Sequence, residues 1–307
     1  MAFPPALTAA LDALLEGVSR KDLAARAEGL SAAYRKGQSS GGIVSQADAL
    51  AYALARMPAT FAVNEVVLAR LAEVMPDFAP ASLLDVGAGT GAASWAAAER
   101  WPDIAVTLLD RNAALRALAA QLLPQAKVQG GELSGDKPRA DLVIASYVLA
   151  ELPEAEAASA AVDLWRGTDK ALVLVEPGTP QGFARIRSSR AALIEAGAHI
   201  AVPCTHDNAC PLRGDDWCHF SQRLARSREH MQLKAASVPF EDERYSYVVA
   251  VRKKVASGAR ILAPVLEAKP GPTFKLCDET GLHAHFIPAR DKAETRRVRR
   301  KGWGDLY

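Results

Sequence analysis

The chain has 307 residues, 37 basic against 35 acidic, a formal net charge of +2, and half of its residues apolar. That length buries a sizeable core in one large domain or two modest ones, and 23% charged with 6% aromatic residues excludes wholesale disorder and a coiled coil. No apolar run reaches the roughly 18 residues of a membrane span. Asp12, Glu16 and Asp22 break up the apolar start that a signal or transit peptide needs, so a soluble, cytoplasmic protein, monomeric and away from membranes, is expected.

Residues 1–80 read as helical, with Leu7, Leu11, Leu14 and Leu15 and then Leu50, Tyr52, Leu54 and Met57 at helical spacing. Gly41 and Gly42, beside Gln38, Ser39 and Ser40, mark a loop between helical groups. After Pro76 and Pro80 the texture changes. Four short apolar runs, Leu83–Val86, Val106–Asp110, Leu142–Ala145 and Leu172–Val175, alternate with helical stretches at Ala92–Arg100, Ala113–Leu123 and Glu154–Trp165. Strand and helix in alternation predict an α/β Rossmann-like parallel sheet covered on both faces. Residues 81–198 are expected to form this core, with a cysteine-rich segment at 199–238, a closing strand within 239–256, and a small β module at 257–307. In that module Arg260–Pro264, Thr273–Cys277 and Leu282–Pro288 read as antiparallel strands, with His283 and His285 facing solvent.

Ligands of such sheets bind beyond the carboxyl ends of the strands. The first strand runs into Asp85-Val86-Gly87-Ala88-Gly89-Thr90-Gly91, and the second ends at Asp110. Glycine at 87, 89 and 91 permits a tight turn and close approach of a ligand to the backbone. The dinucleotide fingerprint needs glycine at 92, where Ala92 stands, and no Lys-Ser/Thr pair makes a phosphate loop. The constellation resembles the S-adenosylmethionine (SAM) site of class I methyltransferases. The resemblance implies that Gly87, Gly89 and Gly91 cradle the methionine portion, that Asp110 accepts from the ribose hydroxyls and that Asp85 orients the loop. A sulfonium ligand without phosphates profits from nearby carboxylates. After the fourth strand, Ser146-Tyr147-Val148-Leu149-Ala150-Glu151 contains neither the Asn/Asp-Pro-Pro-aromatic tetrad nor a cysteine nucleophile, so no catalytic residue is assigned. Glu151 reads as a helix-start residue.

All four cysteines, Cys204, Cys210, Cys218 and Cys277, lie in the C-terminal part, spaced C-x5-C-x7-C with the fourth 59 positions further on. Pro203–Leu212 is a run of turn formers, which needs a staple to hold its shape. Thiolates suit zinc or an iron–sulfur cluster. The irregular spacing with Cys210-Pro211 and aromatic cover from Trp217 and Phe220 favours a cluster, and zinc, with His206 or His219 as a replacement ligand, stays open.

The blocks Pro203–Leu212, Asp216–Leu224, Glu176-Pro177-Gly178-Thr179-Pro180, Phe240–Tyr247 and Trp303-Gly304-Asp305 resemble the methyltransferase-like family associated with the small subunit of mitochondrial ribosomes, which also has bacterial members. The likeness runs from about residue 30 to the end. It implies a class I fold, a four-iron four-sulfur (4Fe-4S) cluster on Cys204, Cys210, Cys218 and Cys277, and a role on the small ribosomal subunit or its rRNA in assembly or translation. The basic run Arg290–Lys301, followed by Trp303 and Tyr307, is expected to contact RNA phosphate and to stack on unpaired bases. Two other readings remain at this stage. One is a non-catalytic RNA-binding assembly factor on a methyltransferase scaffold, and the other is a zinc-containing small-molecule or protein methyltransferase.

Overall fold

A computed structural model describes residues 3–35, 40–133, 135–226, 230–231, 237–255 and 258–307. Gln38, Ser39 and Ser257, which the sequence marks as loop, lie outside the described residues.

Three helices lead in: α1 (Pro5–Leu14), α2 (Arg20–Arg35) and the long α3 (Gln46–Val74). α3 starts sharply because Ser45 and Asp48 form a reciprocal capping box, and Arg26 of α2 donates to the same carboxylate at 2.6 Å. Then follow β1 (Ser82–Val86), α4 (Ala92–Arg100), β2 (Ala105–Asp110), α5 (Ala113–Leu122), β3 (Lys127–Gly130), β4 (Ala140–Ser146), α6 (Ala157–Arg166), β5 (Thr168–Pro177), α7 (Pro180–Glu195) and β6 (His199–Val202). β7 (Phe220–Ala225) and β8 (Phe240–Val251) complete an eight-stranded sheet of order β3-β2-β1-β4-β5-β8-β6, with β7 paired to β8.

The sheet is mixed, an α/β Rossmann-like fold. β1 to β5 are mutually parallel, whereas β8 runs antiparallel to β5, β6 and β7. The parallel sheet expected from the four apolar runs is β1 to β5, and at the edge where a closing strand is expected β8 runs antiparallel. β8 outlasts its partner: Tyr245–Val251 pairs with β5, and Phe240–Tyr245 continues past it as the template for β7. Apolar side chains cover both faces. One core joins Val173, Val175 and Val249 to α3, α4 and α5, and the other joins Leu172, Leu174 and Val248 to α6 and α7. α1 and α2 contribute Leu7, Leu11 and Leu23 to the first core, so the N-terminal helices are built into the sheet's covering layer.

A second sheet of order β11-β10-β9 joins β9 (Arg260–Ile261), β10 (Thr273–Asp278) and β11 (Gly281–Phe286), all antiparallel as the sequence predicts. It closes over Ile261, Phe274, Leu276, Ile287 and Val298, the last from α8 (Lys292–Val298). The chain end returns to the main body, where Arg70 of α3 pairs with Asp305 and Gly304 donates to the Ile261 carbonyl at 2.9 Å. Among the described residues no helix is long and apolar enough to cross a membrane.

Candidate functional site

Along the chain β1, β2 and β3 step outward in one direction, and the next strand then crosses to the other side of β1. The loop after β1 therefore stands at the point where strand order reverses, the place where open α/β sheets bind ligands. Gly87, Gly89 and Gly91 all have positive φ, at 66°, 55° and 81°. Gly87 is required twice over, by its φ and because a Cβ there would lie 2.3 Å from Cγ2 of Val148.

The two acids of the motif brace this loop from below. Asp85 is buried, and its Oδ2 accepts from Ser94 Oγ at 2.8 Å and the Ser94 amide at 3.2 Å, tying β1 to α4. Burial pushes its carboxyl up to about 7, against the pull of those hydrogen bonds. Asp110 Oδ2 accepts from the Gly89 amide at 2.8 Å and Oδ1 from the Asn112 amide at 2.7 Å. Both carboxylates and all but the last of the three glycines line a recess of about 1210 Å³, large beside the roughly 300–1,000 Å³ of a small-molecule pocket.

Sequence reasoning missed the roof of this recess, whose lining comes from Ala24, Ala27, Leu30 and Ser31 of α2 and from Ser40. The segment at Ser40–Ile43 is held over α5, because Asn112 Nδ2 donates to the Ser40 carbonyl at 3.0 Å and to the Ile43 carbonyl at 2.9 Å. Glu151, read as a helix-start residue, lies in the single 3-10 turn Leu149–Glu151 and also accepts from Arg111 at 2.7 Å and from the Ser40 amide at 3.4 Å. Tyr52, Arg56 and Thr60 of α3 form a further wall facing Ser146 and Tyr147. Tyr147 has φ of 63°, unusual for a bulky residue, and its phenol donates to Glu243 at 3.3 Å. Burial, and then the Glu243 charge, holds that phenol protonated far above its ordinary range. Glu176, at the end of β5, is fully buried, and burial pushes its carboxyl up to about 8.

The second assembly lies against the face of α7 that carries Phe183, Ile186 and Arg190. Cys204 and Cys210 sit in the loop after β6, Cys218 just before β7, and Cys277 on β10; all four line one small cavity of about 30 Å³ with Pro203, His206 and Leu212. None is in a disulfide. Burial raises the thiols of Cys210 and Cys218 and pushes Cys277 up to about 12, with the neighbouring cysteines adding to each. His206 Nε2 stands 3.7 Å from the Cys277 sulfur, while its Nδ1 is buried without a hydrogen-bond partner. Among the described residues no group of three or more His, Cys, Asp or Glu is arranged to hold a metal ion. The thiols surround a space without converging on one point.

The C-terminal aromatics are engaged internally, which corrects their expected stacking on bases. Trp303 packs against His219 and Phe220, and Tyr307 against Phe274, His285 and Arg297. The basic run is in part the helix α8, where Glu294 caps the charge of Arg297 at 2.6 Å and leaves Arg296, Arg299 and Arg300 exposed.

The family described as mitochondrial small ribosomal subunit Rsm22 matches residues 46–307. A human protein named "Ribosome assembly protein METTL17, mitochondrial" is 28% identical over 84% of this chain and 62% of its own length. A Schizosaccharomyces pombe protein named "Rsm22-cox11 tandem protein 2, mitochondrial" is 26% identical over 94% of this chain and 46% of its own. The chain thus spans less than two thirds of these relatives. Solved structures with likeness include the magnesium protoporphyrin IX methyltransferase of Synechocystis PCC 6803 with bound SAM, at 20% identity over 62% of this chain and 80% of that one with TM-score 0.41. A plantazolicin methyltransferase matches at 12% identity over 76% of this chain and 98% of that one, with TM-score 0.44. The expected cytoplasmic location is overturned by the first of these findings, since the family and the two relatives are described as mitochondrial.

Proposed function

Because the chain belongs to the Rsm22 family of the mitochondrial small ribosomal subunit, we propose that it is a SAM-binding, methyltransferase-like protein that acts on or in the assembly of a small ribosomal subunit. The observation that carries this reading is the glycine loop with positive φ at the switch point, facing a recess with carboxylates and no phosphate-binding lysine. The residues fit the cofactor: Gly87 and Gly89 make room for its methionine portion, Gly91 completes the turn against Leu123, and Asp110, which lines the recess, accepts from the ribose hydroxyls. Asp85 fixes the loop to α4 through Ser94. Bound SAM supplies an electrophilic methyl group. The chain's own residues bind it, orient it and exclude water beneath α2 and Ser40.

The proposal extends to the C-terminal half. Cys204, Cys210, Cys218 and Cys277 hold a 4Fe-4S cluster that fastens β10 to the loop after β6, with zinc as the alternative. What supports it is a donor set of four uncrosslinked thiols around one cavity; thiols that ring a space suit a cluster better than the single point of a zinc tetrahedron. In this reading residues 1–80 roof the SAM core at 81–198, 199–238 and 257–307 carry the thiols, and 239–256 closes the sheet. Exposed Arg296 of α8, with Arg299 and Arg300 just past its end, meets rRNA phosphate.

A scaffold without methyl transfer is the second reading, favoured by the engagement of Tyr147 with Glu243 and of Glu151 with Arg111. Calorimetric titration of SAM, followed by incubation of small-subunit particles with methyl-labelled SAM, separates the two. Binding with label transfer gives the enzyme, binding without transfer the scaffold, and absence of SAM binding overturns the SAM-binding reading.

A further inference from the structure

Two arginines are buried beside the thiols. Arg190 on α7 is 4% exposed and Arg260 on β9 is 1% exposed, and both line the cavity that Cys204, Cys210, Cys218 and Cys277 share. Arg190 Nε donates to the Cys204 sulfur at 3.2 Å and its Nη2 to the His206 carbonyl at 2.6 Å. Arg260 Nε donates to the Pro203 carbonyl and Nη1 to the Gly304 carbonyl, each at 2.9 Å, while Nη2 is buried with no hydrogen-bond partner. Among the described residues neither guanidinium has a carboxylate partner.

Guanidinium groups stay charged in proteins. An uncompensated buried cation costs several kcal/mol, so two in one apolar pocket call for nearby negative charge. Neutral thiols supply none. Four thiolates on a cluster core leave a net charge of about −2, equal and opposite to the two arginines.

We infer that Arg190 and Arg260 are the internal counter-ions of the four-thiolate centre, Arg190 by an N–H···S hydrogen bond and Arg260 by an unspent N–H held at the cavity wall. The inference rests on the cluster reading above. These are positioning residues: they touch the ligand sulfur or line its cavity, and set how readily the centre takes a further negative charge. A one-electron reduction makes the centre more negative, so the two cations favour the reduced form and hydrogen bonds to sulfur act in the same direction.

The test uses the full chain purified anaerobically as wild type, Arg190→Gln, Arg260→Gln, and the matching lysine variants. Iron, sulfide and zinc are assayed on each, and the cluster is titrated with dithionite through mediator dyes, read by visible absorption. Each glutamine variant is expected to need a lower potential, the reduced-to-oxidised ratio at fixed poise falling about tenfold, which is about 59 mV for one electron. The lysine variants, which keep the charge, are expected to stay within about threefold of wild type. Glutamine variants that match the wild type in potential and iron retention overturn the inference alone. So does a lysine variant that folds and shifts as far as its glutamine counterpart, which would make the arginines tethers only. Where a glutamine variant fails to fold, its lysine counterpart decides. Wild-type protein with no iron, or with zinc alone, overturns the cluster reading and the inference with it.

Discussion

The recess beyond β1 and the thiol cavity against α7 are two sites built on opposite plans. The floor of the recess is made of backbone and neighbours close in sequence, although its walls come from α2, α3 and the loop after β4: Gly87, Gly89, Asp85 and Asp110 stand within 26 positions of one another, and parallel pairing of β1 with β2 brings the two acids together. The thiol cavity collects its side chains from the loop after β6, the approach to β7, and β10 of a separate sheet. The floor of a site of the first kind is preformed once two strands pair. A site of the second kind exists only when distant modules are docked, and any centre bound there adds its binding free energy to that docking.

The sharpest way to break the comparison is Cys218→Ser. If the thiol cavity holds modules together, this variant loses at least about tenfold of its bound iron and lowers the midpoint of thermal unfolding by several degrees, a cost of roughly 2–3 kcal/mol for a chain this long. SAM affinity should stay within about twofold, because the floor of the recess is preformed. Parallel loss of iron and SAM binding would mean that the two sites are one cooperative unit.

Gly87→Ala addresses the other side. The added methyl meets Val148 at 2.3 Å in a conformation L residues avoid, a strain of about 1–3 kcal/mol. We expect SAM affinity to fall at least about tenfold by calorimetry with iron content unchanged. Adding Val148→Ala should recover part of that loss, since it relieves the clash and leaves the backbone strain.

A smaller effect is expected at α8. Replacing Arg296, Arg299 and Arg300 by alanine should weaken binding to small-subunit RNA and reduce the slope of log affinity against log salt by about 2, at roughly 0.7–0.9 for each phosphate no longer neutralised. An unchanged slope would place the RNA surface elsewhere.

The mildest test is Glu176→Gln. Burial lifts this carboxyl from 4.5 to about 8, so the folded state holds a proton that the unfolded chain has released. Stability from this group is present below pH 4.5 and declines as pH rises to about 8. Denaturant midpoints of the glutamine variant should decline less over that window than those of the wild type; identical pH profiles would refute the assignment.

Much of the first site was legible. Short apolar runs between alanine-rich helical stretches mark buried parallel strands, and the structure extends β1 and β2 by one residue each and β5 furthest, from Leu172–Val175 to Thr168–Pro177. β3 and β6 were not legible, being four residues each and without a distinctive pattern. β7 was hidden in Phe220-Ser221-Gln222-Arg223-Leu224-Ala225, where only Phe220 and Leu224 are buried, because it is an edge pairing fixed by the overhang of β8. The placement of Ser40–Ile43 depends on Asn112, 69 or more positions away, and no local signal marks such a bond.

The amino-acid sequence by itself determined the alternation of strand and helix, the glycine loop with its two acids, and the presence of four thiols in the C-terminal half, since these follow from residue type and short-range spacing. Tertiary structure decided the antiparallel edge, the engagement of Trp303 and Tyr307 within the protein, the pairing of Glu151 with Arg111, and the burial of Arg190 and Arg260 beside the cysteines. Long-range hydrogen bonds and the burial of charge belong to groups that meet only after the chain has folded, and local pattern carries no record of which partner each one finds.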